Sequence, residues 1–469
     1  MAETTPSGAA APTDPAAPLQ VEAVETPSLG DRSYLAHDGR TAVVVDPQRD
    51  VDRFTARLDA AGLRVSHVVE THVHNDYVSG GLELARRTGA TYVLGAGDVL
   101  EFDHQPVADG DVLVAGRMRL RAVHTPGHTH RHTSYVLQDD TGGVHGVFTG
   151  GSMLHGATGR TDLVSPQDTR KLTHAQYHSV RRLAAELPAE TPVYPTHGFG
   201  SFCSATPTSG EASTIGAQTR VNPALVLPEE EFVETLIAGL GDHPAYYAHM
   251  GPLNRRGAGP VDLSPPEVVD PAELRRRAAA GEWVVDLRTR TAFAAAHLAG
   301  SLGFELSRNF LTYLGWLLPW GTPITLVGET PEQVTLARRE LARIGVDRLA
   351  GAAFGEISRL AGGEALRSYP VSDFRGLAHA LATRPSRITV LDARRADERA
   401  AGGVAGSVHI PLHELADRLD EVPGGEVWVY CGSGYRASIA ASLLDARGRT
   451  PVLIDDPYTN AASAGLVQI

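Results

Sequence analysis

Lysine is almost missing from this 469-residue chain: Lys171 is the only one, and the other basic residues are all arginine. That scarcity reads as compositional bias rather than function. Cysteine is nearly as rare, with only Cys203 and Cys431. Two cysteines exclude a disulfide framework and fit a reducing, cytoplasmic setting. Positive charge is in deficit, at 42 basic against 55 acidic residues for a formal charge of −13. Such a balance argues against a nucleic-acid partner, which needs a basic footprint. No apolar run approaches the ~20 residues of a membrane span. No Lys or Arg precedes Arg32, so the start lacks the charged region of a secretory signal.

What is present is enough apolar residue, 42%, to bury sizeable cores. The length suggests about three domains at ~150 residues each. Residues 1–17 are rich in Ala, Pro and Thr without hydrophobic period and read as a disordered tail. From 18 to 255, short apolar runs alternate with turn signals. Thr41–Asp46, Val65–Glu70, Tyr92–Leu94, Met118–Val123, Thr133–Leu137 and Val144–Phe148 read as buried strands, and Asp52–Ala61 and Leu172–Ala185 as helices. This is an α/β domain with histidines at its strand ends. A Gly- and Pro-rich linker, 256–270, follows.

The remainder is an internal repeat. Asp286-Leu-Arg288 and Asp392-Ala-Arg394 lie 106 residues apart, as do Gly300-Ser301 and Gly406-Ser407. The copies span 271–365 and 373–469. Each alternates strands with helices, which implies a doubly wound parallel sheet.

Thr71-His72-Val73-His74-Asn75-Asp76 directly follows a strand. In extended backbone residues i and i+2 share a face, so His72, His74 and Asp76 can converge. Imidazole and carboxylate are the donors that borderline divalent metals prefer. His124-Thr-Pro-Gly-His128 again follows a strand, and its Pro-Gly turn can aim His128 at the same point. Tyr194-Pro-Thr-His197 has the same layout. Thr129, His130 and His132, just past the turn, read as a solvated loop. Cys203 reads as a small buried hydrophobe.

These stretches resemble the metallo-β-lactamase superfamily. Glu70–Asp76, His124–Thr129, Phe148-Thr-Gly150, Gly159-Arg-Thr-Asp162 and Tyr194–His197 are most similar to its persulfide dioxygenase branch. The resemblance implies a four-layer αββα sandwich with a metal at one sheet edge. It also implies one iron, held by two His and one Asp, and O₂-dependent oxidation of glutathione persulfide to sulfite. Carried over residue by residue, the two His ligands fall on His72 and His128, and the Asp ligand falls on Gly151. Glycine donates nothing, so the facial triad loses its carboxylate. Tyr77 stands where hydrolytic relatives often carry another His. Three outcomes stay open: His74 or Asp76 completes a mononuclear site, the metal binds weakly, or the domain is a non-catalytic scaffold. Arg160 either pairs internally with Asp162 or receives a carboxylate of a glutathione-like substrate.

Val427-Trp-Val-Tyr-Cys431-Gly-Ser-Gly-Tyr-Arg436 places a thiol between a strand and a helix. Gly432 and Gly434 permit a tight loop of inward N–H groups, and the helix start near Tyr435 adds a positive dipole end. Both features favour a thiolate. Residues 373–469 resemble the rhodanese sulfurtransferases, which implies Cys431 as nucleophile and Arg436 with Gly432, Ser433, Gly434 and Tyr435 as the anion cradle. Related phosphatases place the Arg one residue later, where Ala437 stands. In the first copy Gly328 replaces the Cys and Gln333 the Arg, so that copy is expected to be a spacer or a dimerisation surface.

Together these readings imply an αββα metallo-β-lactamase sandwich followed by two rhodanese-like domains, acting in sulfide and persulfide detoxification. Iron is the expected cofactor and zinc the alternative. The expected partner is a small thiol or persulfide, with a homodimer implied by resemblance. A zinc-dependent thiolester hydrolase of the glyoxalase II kind, or a chain whose only active centre is Cys431, are the competing readings.

Overall fold

The computed structural model describes residues 18–204, 208 and 210–468; the tail expected over 1–17 lies outside them. The chain divides into two compact units, Met1–Leu240 with Ala248–Pro260, and Gly241–Tyr247 with Val261–Ile469. Among the described residues no helix is long and apolar enough to cross a membrane.

The first unit is built on two sheets. One runs in sequence order through β1 (Gln20–Thr26), β2 (Asp31–His37), β3 (Thr41–Val45), β4 (Arg64–Val69), β5 (Thr91–Gly95) and β6 (Gln105–Val107). The other comprises β7 (Val112–Ala115), β8 (Met118–His124), β9 (Thr133–Gln138), β10 (Val144–Gly150) and β11 (Val193–Pro195), in the order β11-β10-β9-β8-β7.

Side chains alternate across each strand, and that period divides the core. In β3, Val43 and Val45 join Tyr34, Met118, Leu120, Tyr135 and Phe148 between the sheets. Ala42 and Val44 face the other way, onto Phe54 and Leu58 of the helix Asp52–Ala61 and Leu84 of the helix Gly81–Thr88. The outer face of the second sheet is covered by Tyr177, Val180 and Leu183 of the helix Thr169–Glu186, and by Phe232, Val233 and Leu236 of the helix Glu229–Ala238. Two sheets each capped by helices make the expected αββα sandwich. The C-terminal ends of β4, β8, β10 and β11 each lead into a segment bearing a functional residue.

Both sequence copies lie in the second unit. In the first, β12 (Trp283–Asp286), β13 (Leu302–Gly303), β14 (Ile324–Gly328) and β15 (Leu349–Phe354) form a parallel sheet ordered β13-β12-β14-β15. In the second, β16 (Val371–Ser372), β17 (Ile388–Asp392), β19 (Val408–His409), β20 (Glu426–Tyr430) and β21 (Thr450–Ile454) form a parallel sheet ordered β16-β21-β20-β17-β19. A two-stranded ribbon of β18 (Gly403–Val404) and β22 (Val467–Gln468) flanks it. The repeated Asp-x-Arg is one internal fork in each copy: Arg288 meets Asp286 at 2.7 Å and Arg394 meets Asp392 at 2.8 Å.

Candidate functional site

Four histidines converge beyond the strand ends. His72 Nε2 lies 3.4 Å from His197 Nε2. The His72 ring is 4.1 Å from that of His74 and 4.7 Å from that of His128, centre to centre. Donor atoms of His72, His128 and His197 lie within 4.8 Å of one another, as do those of His74, Asp76 and His197. All five of these expected ligands are buried.

Each imidazole is held from behind by oxygen. His72 Nδ1 meets Thr71 Oγ1 at 2.9 Å, and His128 Nδ1 donates to the Arg160 carbonyl at 2.7 Å. His197 Nδ1 is 2.9 Å from Asp31 and 3.1 Å from Asp76. His74 Nε2 lies 3.1 Å from Glu70, 3.2 Å from Asp46 and 3.0 Å from the Tyr77 hydroxyl. Such outer partners fix ring orientation and tautomer at metal sites. The inward nitrogens His74 Nδ1 and His128 Nε2 are buried and meet no hydrogen-bonding group. A buried lone pair without a donor, as on the neutral His128, is costly, and a divalent cation relieves that cost. The residues present therefore fit a metal, through imidazoles.

Electrostatics divides the histidines into two kinds. Burial and neighbouring imidazoles push His72 well down, and burial brings His128 down to about 3, so both are neutral donors. Burial also opposes charge on His197 and His74, but carboxylates overcome it. Asp76 and Asp31 hold His197 well above its ordinary value, and Asp46 and Glu70 raise His74 to about 9. Despite its burial, Asp46 is kept at about 2 by His74, whereas Glu70 is driven by burial up to about 7.

Gly151 carries no carboxylate, and nothing else fills that role in the same place. A Cβ on Gly151 would stand 2.2 Å from His128 Cδ2. The imidazole occupies the space of the absent side chain.

The structure overturns one expectation, decides between two others and adds three residues. His132 and Thr129 are not on a solvated loop. His132 is fully buried, stacks on His72 at 5.1 Å, and accepts the Gly151 N–H at 3.1 Å. Its position immediately before β9 carries it into the sandwich. Of the two readings of Arg160, the contacts match the internal pair and not the substrate carboxylate: Nε and Nη2 each meet Asp162 at 2.7 Å, Nη1 donates to the Phe202 carbonyl, and the residue is 3% exposed. Asp31, Asp46 and Glu70 were not singled out by sequence. Their signal was position, at the start of β2 and the ends of β3 and β4.

Cys431 closes β20 and is 1% exposed; neither it nor Cys203 is in a disulfide. The helix Tyr435–Ala446 begins at the loop. Gly434 has φ +89°, and a Cβ there would strike Asp455 at 2.1 Å, so only glycine fits. Arg436 is clamped by both oxygens of Glu398, at 2.5 and 2.8 Å. Ser433 is exposed on the loop. The Tyr435 hydroxyl donates to the Glu305 carbonyl of the other copy at 2.9 Å, which leaves only its backbone N–H for the expected cradle. In the first copy the equivalent loop is closed by its own side chain. Gln333 Oε1 accepts the Glu329 N–H at 2.7 Å, and its Nε2 donates to the Leu287 carbonyl at 3.2 Å.

Residues 31–197 match the metallo-beta-lactamase superfamily, and residues 377–460 match the rhodanese-like domain. The chain is 31% identical over 210 residues to human mitochondrial persulfide dioxygenase ETHE1, covering 44% of this chain and 74% of that protein. It is 32% identical over 264 residues to a hydroxyacylglutathione hydrolase of Methylococcus capsulatus, covering 55% and 97%. Among solved structures, a Staphylococcus aureus metallo-beta-lactamase superposes with a TM-score of 0.65 at 25% identity, covering 72% of this chain and 99% of that one.

Proposed function

The chain belongs to the metallo-β-lactamase superfamily and carries a C-terminal rhodanese-like domain, and from that premise we propose that it serves sulfur metabolism through two centres. At the histidine centre a low-molecular-weight persulfide, RSSH, reacts with O₂ and water to give RSH, sulfite and two protons. At Cys431 a sulfane sulfur is carried. The observation that carries this reading is the four-imidazole cluster beside Gly151. It supplies metal donors, and Gly151 offers no side-chain oxygen to bridge two metals.

An iron ion held by His72, His128 and His197 would supply the binding of O₂ and persulfide sulfur. The protein's own part is placement. Arg160 fixes His128 through its carbonyl, Asp31 and Asp76 fix His197, and Asp46 with Glu70 fixes His74. Burial of the whole set keeps bulk water from the reacting sulfur.

At the second centre the Cys431 thiolate attacks the sulfane sulfur of a donor such as thiosulfate. The S–S bond breaks and sulfite leaves with the electron pair. A nucleophile such as cyanide or a thiolate then takes the outer sulfur and restores the thiolate. Arg436 and the positive end of the helix Tyr435–Ala446 stabilise the anions.

A second reading is a zinc-dependent thiolester hydrolase, which the Methylococcus hydrolase favours. Gly151 counts against it. So does Tyr77, whose hydroxyl is committed to the Asp46 carbonyl and His74.

The test uses the anaerobically purified full chain. Wild type is expected to consume O₂ with glutathione persulfide and to transfer sulfur from thiosulfate to cyanide. Cys431→Ser should lose transfer and keep O₂ uptake, and His128→Ala should do the reverse. Full transfer in Cys431→Ser overturns the rhodanese assignment. Cleavage of an acyl-glutathione without O₂ uptake replaces the first centre by the hydrolase.

A further inference from the structure

The helix Thr169–Glu186 meets the second sheet through Tyr177, Val180 and Leu183. Beside that apolar stripe runs a second row, and it is polar. Thr173, Gln176 and Ser179 stand three residues apart, so they share one helix face. They are 0%, 0% and 4% exposed. Polar side chains buried this deeply need partners, and each finds one on a different segment. Thr173 Oγ1 lies 2.8 Å from Thr161 Oγ1. The Gln176 amide donates to the Ser152 carbonyl. Ser179 Oγ donates to the Pro126 carbonyl at 2.7 Å.

Those three segments are the walls around His128. Pro126 and Gly127 form the turn that ends in it. Gly127 lies so close to the helix that a Cβ there would stand 2.5 Å from Gln176 Cα. Gly151, just before Ser152, adjoins the His128 ring at Cδ2. Arg160, just before Thr161, accepts the bond from His128 Nδ1 through its carbonyl at 2.7 Å.

Gln176 is the middle of the row and the member least explained by stability. Its Oε1 is buried and meets no hydrogen-bonding group. An orphaned amide oxygen costs at least what one hydrogen bond contributes, so an apolar side chain of similar size would hold the helix as firmly. What the amide adds is direction: it pins Ser152, and with it Gly151, against the ring of His128.

We propose that this polar row, with Gln176 at its centre, positions His128 as a metal donor, and that Gln176 sets the affinity of the histidine centre for its cation rather than the stability of the fold. The ligand class is a borderline divalent cation. This rests on the metal reading of His72, His128 and His197. Gln176 is a positioning residue, which acts through His128 and takes no ligand place of its own.

The experiment uses the full metal-free chain, zinc as the probe, and Gln176→Leu. Zinc affinity measured against a competing chelator should fall about tenfold, with the urea midpoint close to that of wild type. Leu58→Ala, in the core outside the first sheet, should do the reverse, lowering the midpoint and sparing the affinity. In a His128→Ala background Gln176→Leu should change affinity less than about twofold, because the residue it positions is gone. Ser179→Ala, which releases Pro126, should lower affinity in the same direction and carries the same comparisons if Gln176→Leu does not fold. A second readout needs no metal: the rate at which diethyl pyrocarbonate modifies His128, followed on its own peptide, should rise about fivefold in Gln176→Leu. Affinity within twofold of wild type, or an equal loss in the His128→Ala background, overturns the positioning role. So does an equal loss in Leu58→Ala, which would make the effect one of stability. A wild-type chain that takes no zinc overturns the metal reading itself, and an unchanged modification rate in Gln176→Leu then overturns the positioning of His128 as well.

Discussion

His128 is seated between two glycines: a Cβ on Gly151 would stand 2.2 Å from its Cδ2, and one on Gly159 would stand 2.8 Å from its Nδ1. The absence of a side chain at 151 and the position of the histidine are thus one structural fact. Gly151→Ala is expected to lower unfolding stability by about 1–3 kcal/mol through overpacking and to reduce bound metal. Gly151→Asp should not restore a carboxylate-ligated site, because the ring stands in the way. Urea denaturation with metal analysis checks both. A Gly151→Asp chain with full stability and more metal than wild type would contradict this packing.

His132 supports the site without being placed to ligate. It stacks on His72, accepts the Gly151 N–H, and bonds Thr125 through Nδ1 at 2.9 Å. His132→Ala should weaken metal affinity about 10–100-fold, as loss of an outer partner does. Competition with a chelator measures this. Affinity within twofold of wild type would reduce His132 to a packing residue.

Metal binding should release protons. In the metal-free chain carboxylates hold His74 and His197 protonated near neutral pH, with His74 raised to about 9. An entering cation displaces the inward proton of each ring it binds. Titration calorimetry at pH 7 in buffers of different ionisation enthalpy should give about one or more protons released per metal. Zero release would mean the metal binds only His72 and His128.

Asp445 makes the second unit acid-sensitive. It meets His297 at 3.0 Å and Arg367 at 2.6 Å, both from the neighbouring copy and the segment that joins the two. Burial would raise this carboxyl, but His297 and Arg367 lower it below its ordinary value of 3.8. A lowered folded-state pKa adds stability above the unfolded value, which is lost as pH falls through the folded one. The unit should lose this contribution below about pH 4. Asp445→Asn should cost about 1–2 kcal/mol at pH 7 and flatten the acid limb, as fluorescence-monitored unfolding across pH would record.

How far the sequence foretold this differs by residue type. The helix Asp52–Ala61 was legible from the spacing of its apolar residues, and strands β3, β4 and β8 as short apolar runs that end in turn signals. Strands β1 and β7 were not. In β1 only Val24 and Thr26 are buried, and β7 is an edge strand whose Val112 and Val114 remain exposed. The histidines His72, His74, His128 and His197 were visible because each follows a strand at short, fixed spacing. His132, Asp31 and Glu70 were not, since nothing local distinguishes a buried polar residue from a loop one. Arg160 was legible as one of two alternatives, and only tertiary contact with Asp162 and Phe202 chooses between them.

The central claim is that three imidazoles, those of His72, His128 and His197, hold the metal. Iron and zinc content of the anaerobically purified chain, in wild type and His197→Ala, tests it most directly. The expected result is about one iron per wild-type chain and little in His197→Ala. Metal-free wild type, or His197→Ala with undiminished iron, would contradict it.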